Sequence, residues 1–268
     1  MKLVFSETAP DYARYQYPYV VWAMPEPGET PADLFAAGFM PASPQLDRFT
    51  LARHLRVPLK GFRPSSENRR ILRRGEGIRA DLRPRADFDY SVARRVRWLA
   101  FAEERFGPGV MPAARLDALM DSPAVSHLLH FTDTAADREV GTALLYLELP
   151  RMAFYYYAFY DLGDRARNLG MFMMTRAVVH FAELGCEHLY LGTCYSVRAK
   201  YKWQFAGVEF FNGFRWSADE AELDHLLARD PGGAHWLGEP GCLDRFGGSA
   251  GLARRTGFQA AFETEEPS

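Results

Sequence analysis

The chain has 268 residues, 48% of them hydrophobic and 25% charged, with a formal net charge of −2, which is the composition of an ordinary globular protein. It has no run approaching the roughly 18 apolar residues that a membrane helix needs, and its first residues, MKLVFSETAPDYARY, lack the apolar core of a signal peptide. A cytoplasmic protein is therefore expected. Cys186, Cys194 and Cys242 lack CxxC spacing, which argues against a disulfide framework or a structural metal site and for small buried hydrophobes.

In chain order, the first forty residues mix aromatics with turn formers. PADLFAA (31–37) reads as a short helix stopped by Gly38, and residues 51–59 read as a strand ending in HLRVPL. KGFRPSSENRRILRR follows as a turn and a helix, with Ser65 or Ser66 as the N-cap. On that helix Arg69, Arg70, Arg73 and Arg74 recur at three- and four-residue spacing and so share a face.

Between Leu51 and Ala100 there are 14 Arg/Lys against 5 Asp/Glu. A basic block in a near-neutral chain fits a polyanion partner, or else a solvated helix face. Helical periodicity then covers 89–106 and 113–120, and residues 124–131 and 139–149 read as strands. The aromatic run RMAFYYYAFYD (151–161) is a further strand between Pro150 and Gly163. A helix from 169 to 184, the strand HLYLGTC and a final aromatic strand VEFFNGFRW complete the pattern. Strand–strand–helix–strand–strand is the second half of an acetyltransferase-like (GNAT) α/β fold, in which two parallel neighbours in a mixed sheet splay to leave a cleft. The expected organisation is a small N-terminal α+β subdomain (1–85), a GNAT-like domain (86–230) and a Gly-rich, acidic tail (231–268).

Five blocks then resemble the bacterial leucyl/arginyl-tRNA–protein transferases. Gly61–Arg74 (GFRPSSENRRILRR) is similar to that family's F-x-P-S-x-x-Q-R-R-x-x-R-R, with Asn68 in place of Gln. AAGFMPAS (36–43) resembles its A-G-F-R-R-S turn, and Tyr157–Asp161 its Y-T-F-F-D. Asn168–Gly170 resembles its S-L-G, and Leu189–Gly192 with Tyr201-Lys202 its Y-L-G-Y…Y-K-x-x-F. The chain departs from the family in three places. No cysteine precedes the R-V-P strand, Phe205 is followed by Ala206-Gly207 rather than Pro, and Leu147 with Glu148 stands where the family has Asp-x-Leu-Pro.

The resemblance implies transfer of an amino acid, Arg or Leu first, from aminoacyl-tRNA to the amine of a protein N-terminus, a peptide or a small molecule. Aminoacyl-tRNA is the co-substrate, and no metal or other cofactor is expected. An aminoacyl ester is already activated, so such a site needs positioning, a base for the amine and a donor for the oxyanion. The expected tRNA contacts are Arg63, Arg69, Arg70, Arg73, Arg74 and Lys200, because guanidinium groups suit phosphates and stack on bases. Tyr195 and Tyr201 are candidates for stacking on the terminal adenine, with Lys202 beside the ester. Strand alternation groups Tyr155, Tyr157, Phe159 and Asp161 on one side as an amino-acid pocket, Asp161 facing an ammonium or closing the next turn. Glu148 is the candidate base. Two other readings stand beside this one. The first is a CoA-dependent acetyltransferase, for which Arg167–Gly170 fits the phosphate-binding turn while bulky Phe172 fits poorly. The second is a non-catalytic nucleic-acid-binding module.

Overall fold

In a computed structural model, which describes residues 1–13, 16–164, 166–229, 241 and 243–255, the chain is organised around a mixed eight-stranded sheet. Its order is β12-β11-β5-β10-β9-β8-β7-β6. The ranges are β5 (His54–Pro58), β6 (Ile78–Pro84), β7 (His127–Asp133), β8 (Arg138–Glu148), β9 (Met152–Tyr160), β10 (His188–Thr193), β11 (Glu209–Phe211) and β12 (Trp216–Ser217). Every pairing is antiparallel except β9 with β10, which the crossover helix α5 (Leu169–Glu183) joins in parallel. This β7–β8–β9–α5–β10 succession is the GNAT arrangement expected from the sequence.

Each face of the sheet buries a different set of helices. On one face, Ile71 of α2 (Ser66–Arg74) and Leu169, Met173, Val178 and Phe181 of α5 pack on Val57, Phe131, Leu145 and Leu189. Gly75 ends α2 where an added Cβ would fall 2.1 Å from the Phe172 ring, so a residue without a side chain lets the two helices close. Ser65 caps α2 by accepting the Asn68 N–H at 3.1 Å while the Asn68 side chain accepts the Ser65 N–H at 3.1 Å, a reciprocal capping box. Asn68, the departure from the family's Gln, is thus a structural cap. On the other face, Trp98 and Phe101 of α3 (Val92–Arg105) and Leu116 and Met120 of α4 (Ala113–Met120) cover Leu128, Leu144 and Phe159.

The first 51 residues form a second, antiparallel sheet in the order β1-β2-β4-β3, with β1 (Lys2–Glu7), β2 (Tyr19–Met24), β3 (Phe39–Pro41) and β4 (Phe49–Leu51). With α1 (Pro31–Ala36) it packs Leu34, Phe35, Phe39 and Phe49 against Met152, Phe154 and Tyr190. The division expected at residue 85 is not where the sheets divide, because β5 and β6 are both strands of the large sheet. Of the expected tail, Gly241 and residues 243–255 are described, the latter a short turn and α7 (Gly248–Arg255); the remainder lies outside the described residues. Cys186 and Cys194 are buried free thiols, as expected, and Cys242 lies outside the described residues. No helix among the described residues is long and apolar enough to cross a membrane.

His54 lies where α1 packs on the large sheet. It is fully buried among Phe35, Tyr190 and Trp216, with Nδ1 2.9 Å from the Ala52 carbonyl, and burial pushes its pKa down to about 3. The unfolded chain therefore takes up a proton near pH 6.5 that the folded chain refuses until about pH 3. Stability supplied by the neutral ring is full above the unfolded value and is lost as pH falls below it. We expect urea-unfolding free energies to drop by about 1.4 kcal/mol per pH unit on this account below pH ~6.5. A His54→Gln variant should lose that component of the slope, and an unchanged slope would remove His54 from this role.

Candidate functional site

The parallel β9–β10 pair is short. Hydrogen bonding covers Met152–Phe154 against His188–Tyr190 and then stops, although β9 runs on to Tyr160. Both strands are irregular at that point. The β8–β9 register slips so that Tyr155 faces Leu145 and Tyr157 faces Leu144, leaving Tyr156 as an extra, bulged residue. The β10–β5 register slips between Tyr190 and Gly192. Beyond the slip the strands separate around a cavity of about 710 Å³.

Tyr155, Tyr157 and Tyr160 of β9, Leu191 and Thr193 of β10, and Tyr201 and Lys202 of the following turn line this cleft. The first turn of α5 opens into it through Asn168, Gly170 and Met171. A helix start offers N–H groups and the positive end of a dipole to an anion. Gly170 is required there, since a Cβ would lie 2.7 Å from the Tyr160 hydroxyl. Phe101 and Arg105 of α3, with Phe106 just after it, close the far wall.

Two groups in the cleft are chemically uncommitted. The Tyr155 hydroxyl is buried with no hydrogen-bond partner among the described residues, and burial raises its pKa well above the usual tyrosine value, so it is a phenol with a hydrogen to give. Lys202 donates to the Thr193 carbonyl at 2.9 Å and lies 5.8 Å from the Tyr201 ring centre. No carboxylate pairs with it among the described residues, and burial lowers its pKa below the ordinary lysine value. Among the described residues, no Asp, Glu or His lines the cleft.

The structure brings Tyr155, Tyr157, Tyr201 and Lys202 together and scatters the other expected residues. The bulge at Tyr156 reverses the alternation. Tyr155 and Ala158 face α5, whereas Tyr157 and Phe159 pack toward α3. Phe159 is a core residue, stacked on Trp98 with ring centres 4.6 Å apart and planes 6° from parallel. Asp161 pairs with Arg138 at 2.8 Å and accepts the Gly163 N–H at 2.9 Å. It closes the turn after β9 and borders a separate cavity of about 460 Å³.

Glu148 is not placed to act as a base in the cleft. It lies at the paired end of β9, opposite Met152, where it accepts from the Thr30 hydroxyl at 2.5 Å and the Ala32 N–H at 3.0 Å and meets Arg151 at 3.3 Å. Its carboxylate caps α1 onto the large sheet. Tyr195 is apart from Tyr201: its hydroxyl accepts the Arg53 backbone N–H at 2.8 Å and its ring lines another pocket. Lys200 is held by Glu220 at 2.8 Å and Asp224 at 2.6 Å on α6 (Glu220–Ala228).

The basic block largely resolves into ion pairs. Arg56 meets Glu209, Arg79 and Arg83 meet Asp81, Arg85 meets Asp121, Arg94 and Arg97 meet Glu139, and Arg95 meets Asp117. On α2, Arg70 pairs with Glu67 at 2.5 Å and Arg69 donates to the Pro64 carbonyl at 2.7 Å. Arg63, Arg73 and Arg74 are exposed with no ion pair among the described residues, so the unbalanced charge concentrates around this helix.

Arg105, Asn168 and Tyr160 were not expected in the cleft. Arg105, in the last turn of α3, carries no pattern that reports a distant cleft. Phe172 was expected to obstruct an anion at the start of α5, but it points into the core against Phe131 and Gly75. Tyr156 and Tyr157 also border a smaller cavity of about 240 Å³ with Pro41, Ser43 and Arg115. The AAGFMPAS block therefore reaches the back of the same wall.

The chain is similar in sequence to known transferases. The aspartate/glutamate leucyltransferase of Pseudomonas paraeruginosa is 28% identical over 172 residues, 61% of this chain and 69% of its own length. That of Chromobacterium violaceum is 29% identical over 168 residues, 60% and 67% of the two chains. The chain is a divergent relative of these aminoacyltransferases. No family model matches it. Among solved structures, L-PGS from Bacillus licheniformis is 12% identical with a TM-score of 0.42 over 67% of this chain and 66% of its own, and FemX is 10% identical with a TM-score of 0.40 over 53% of each. These likenesses are too loose to bear on function.

Glu148→Ala should cost about 1–3 kcal/mol in unfolding free energy, because the Thr30 hydroxyl and Ala32 N–H lose their acceptor. Transfer per folded molecule should be unchanged. A selective loss of turnover without destabilisation would return Glu148 to catalysis.

Proposed function

We propose that the chain is an aminoacyltransferase that moves an amino acid from aminoacyl-tRNA to an amine within the cleft between β9 and β10. The observation that carries this reading is the pairing, in one cleft, of an uncommitted buried phenol at Tyr155 with a carboxylate-free ammonium at Lys202. The similarity to leucyltransferases supports an aminoacyl donor.

The amine attacks the ester carbonyl, the new C–N bond forms and the C–O bond to the ribose breaks. Tyr155 donates a hydrogen bond to the developing oxyanion. Lys202 in its neutral form takes the amine's proton and returns one to the leaving ribose oxygen, so charge and protons balance. Its lowered pKa raises the neutral fraction near pH 7. The start of α5 and Arg105 attract the terminal phosphate, and Tyr157 and Tyr201 flank the aminoacyl adenosine. Arg63, Arg69, Arg73 and Arg74 bind the acceptor stem, with Arg70 available once the exposed Glu67 pair yields, since such surface pairs hold weakly. The relatives' names make leucine the first donor to try, arginine the second, and aspartate or glutamate the first acceptors, as a protein N-terminus, a peptide or the free amino acid.

The decisive assay offers labelled charged tRNA and these acceptors, with an acetyl-CoA arm beside it. RNase-sensitive transfer supports the reading, and RNase-insensitive transfer from acetyl-CoA overturns it. Tyr155→Phe should lower kcat by about 100-fold with KM little changed. Lys202→Arg keeps the charge but cannot deprotonate at working pH, so it should abolish the alkaline rise in rate that wild type shows. An arginine variant with the wild-type pH profile would exclude Lys202 as proton acceptor.

A further inference from the structure

The small cavity behind the tyrosine wall, about 240 Å³, is built where the loop after β3, helix α4 and the bulge of β9 meet. It is smaller than the roughly 300–1,000 Å³ of a drug-sized ligand site, and suits a single side chain. In a regular strand Tyr156 and Tyr157 would point to opposite faces. The bulge instead turns both toward the layer of α3 and α4, with ring centres 4.6 Å apart. Both tyrosines also line the transfer cleft, so they are common to the two cavities.

One cation serves this pocket. Arg115 of α4 is exposed, and donates one Nη to the Val110 carbonyl at 2.9 Å and the other to the Tyr157 hydroxyl at 3.4 Å. Among the described residues no carboxylate pairs with Arg115 and no Asp or Glu lines the pocket. A guanidinium has five N–H donors in a planar fork, so others remain for an external acceptor. The Tyr157 hydroxyl accepts from Arg115 and keeps its own hydrogen to give. Ser43 is buried, and its hydroxyl accepts the Gln45 N–H at 3.2 Å, which likewise leaves its hydrogen to donate. A fork and two hydroxyl donors together match a carboxylate, whose two oxygens only accept. Pro41 and Leu119 add apolar surface for the methylenes that carry it.

Phosphate is the competing anion, and the layering of the fold argues against it. The cations assigned to RNA, Arg73 and Arg74, are on α2, which packs with α5 on one face of the large sheet, whereas α4 covers the other. An acceptor arriving from the α4 side reaches the ester without crossing the RNA.

We propose that Arg115, with the hydroxyls of Tyr157 and Ser43, forms the acceptor subsite, holding the side-chain carboxylate of the residue whose amine attacks the ester in the cleft. The subsite rests on the aminoacyl-tRNA reading above. The side chain is assigned rather than the α-carboxylate because Tyr156 and Tyr157 stand between pocket and cleft, and the carboxylate of Asp or Glu extends farther from the amine-bearing carbon.

The test offers the full chain tetrapeptides beginning with Asp, Glu, Asn or Gln, together with free aspartate and free asparagine. Binding is read by titration calorimetry, transfer by label from charged tRNA, and RNA affinity on a hairpin with a CCA 3′ tail. Wild type should favour the acidic peptides over their amides by about 10- to 100-fold in binding and in kcat/KM, the range of one charge-assisted contact. Arg115→Gln should bring the acidic peptides down to the level of the amides, leaving the amides, RNA affinity and melting temperature unchanged. Arg115→Lys keeps the charge without the fork and should retain part of the preference. Ser43→Ala, which leaves Arg115 intact, should reduce it by about 5-fold.

An equal response to acid and amide in wild type, or a preference that survives Arg115→Gln, overturns the subsite. So does a matching loss of hairpin affinity, which would make Arg115 a phosphate contact, or Arg115-dependent use of free asparagine as good as that of free aspartate, which would assign the α-carboxylate. If acidic peptides bind in an Arg115-dependent way while no charged tRNA supports transfer, the subsite stands and the transferase reading falls. If transfer proceeds with no acid preference, the subsite alone falls.

Discussion

Three pairs of residues set the architecture of the site. Met152–Phe154 and His188–Tyr190 are the whole of the parallel β9–β10 ladder, and everything downstream depends on where it ends. A parallel sheet that continued would bury both faces and leave no room for a ligand. Here the extra residue at Tyr156 and the slip between Tyr190 and Gly192 end the ladder from both sides. The paired end is held shut by the second sheet, through Phe35 against Phe154 and Tyr190 and through Glu148 on the start of α1. The open end collects tyrosines, a lysine and the start of α5. One clamp and one bulge thus divide a continuous strand into a structural half and a chemical half.

Charge is distributed by the same logic. Most arginines between residues 51 and 100 are neutralised by carboxylates brought alongside by the fold, as with Arg94 and Arg97 on Glu139. Among the described residues, Arg63, Arg73 and Arg74 around α2, Arg53, Arg105 and the half-buried Lys202 are among the cations that show no carboxylate partner. A polyanionic substrate needs such a track, and a cleft without a carboxylate lets the ester approach without repulsion.

Much of the fold was legible because its periodicity is local. Helix α4 was expected over 113–120, and α5 over 169–184 against an observed Leu169–Glu183. The strand β6, IRADLRP, was missed because Arg79, Asp81 and Arg83 alternate on an exposed edge and read as part of a basic cluster. In the site, Tyr157, Tyr201 and Lys202 were legible through the family blocks that contain them, and Tyr155 through the aromatic strand to which it belongs. Phe159 and Asp161 were misplaced because period-two counting fails across a bulge that only the β8 partner strand reveals. Glu148 was misplaced for another reason: its role is set by Thr30 and Ala32, more than a hundred residues away in sequence. Arg105 carried no local signal at all.

The consecutive carbonyls of Thr193 and Cys194 have a mechanical consequence. Lys202 donates to the first and Arg53 to the second, so two side chains hold neighbouring peptide groups of one short stretch. The stretch cannot shift without lengthening at least one of these two hydrogen bonds. The end of β10 is thereby clamped twice, by one donor that precedes the strand in sequence and one that follows it.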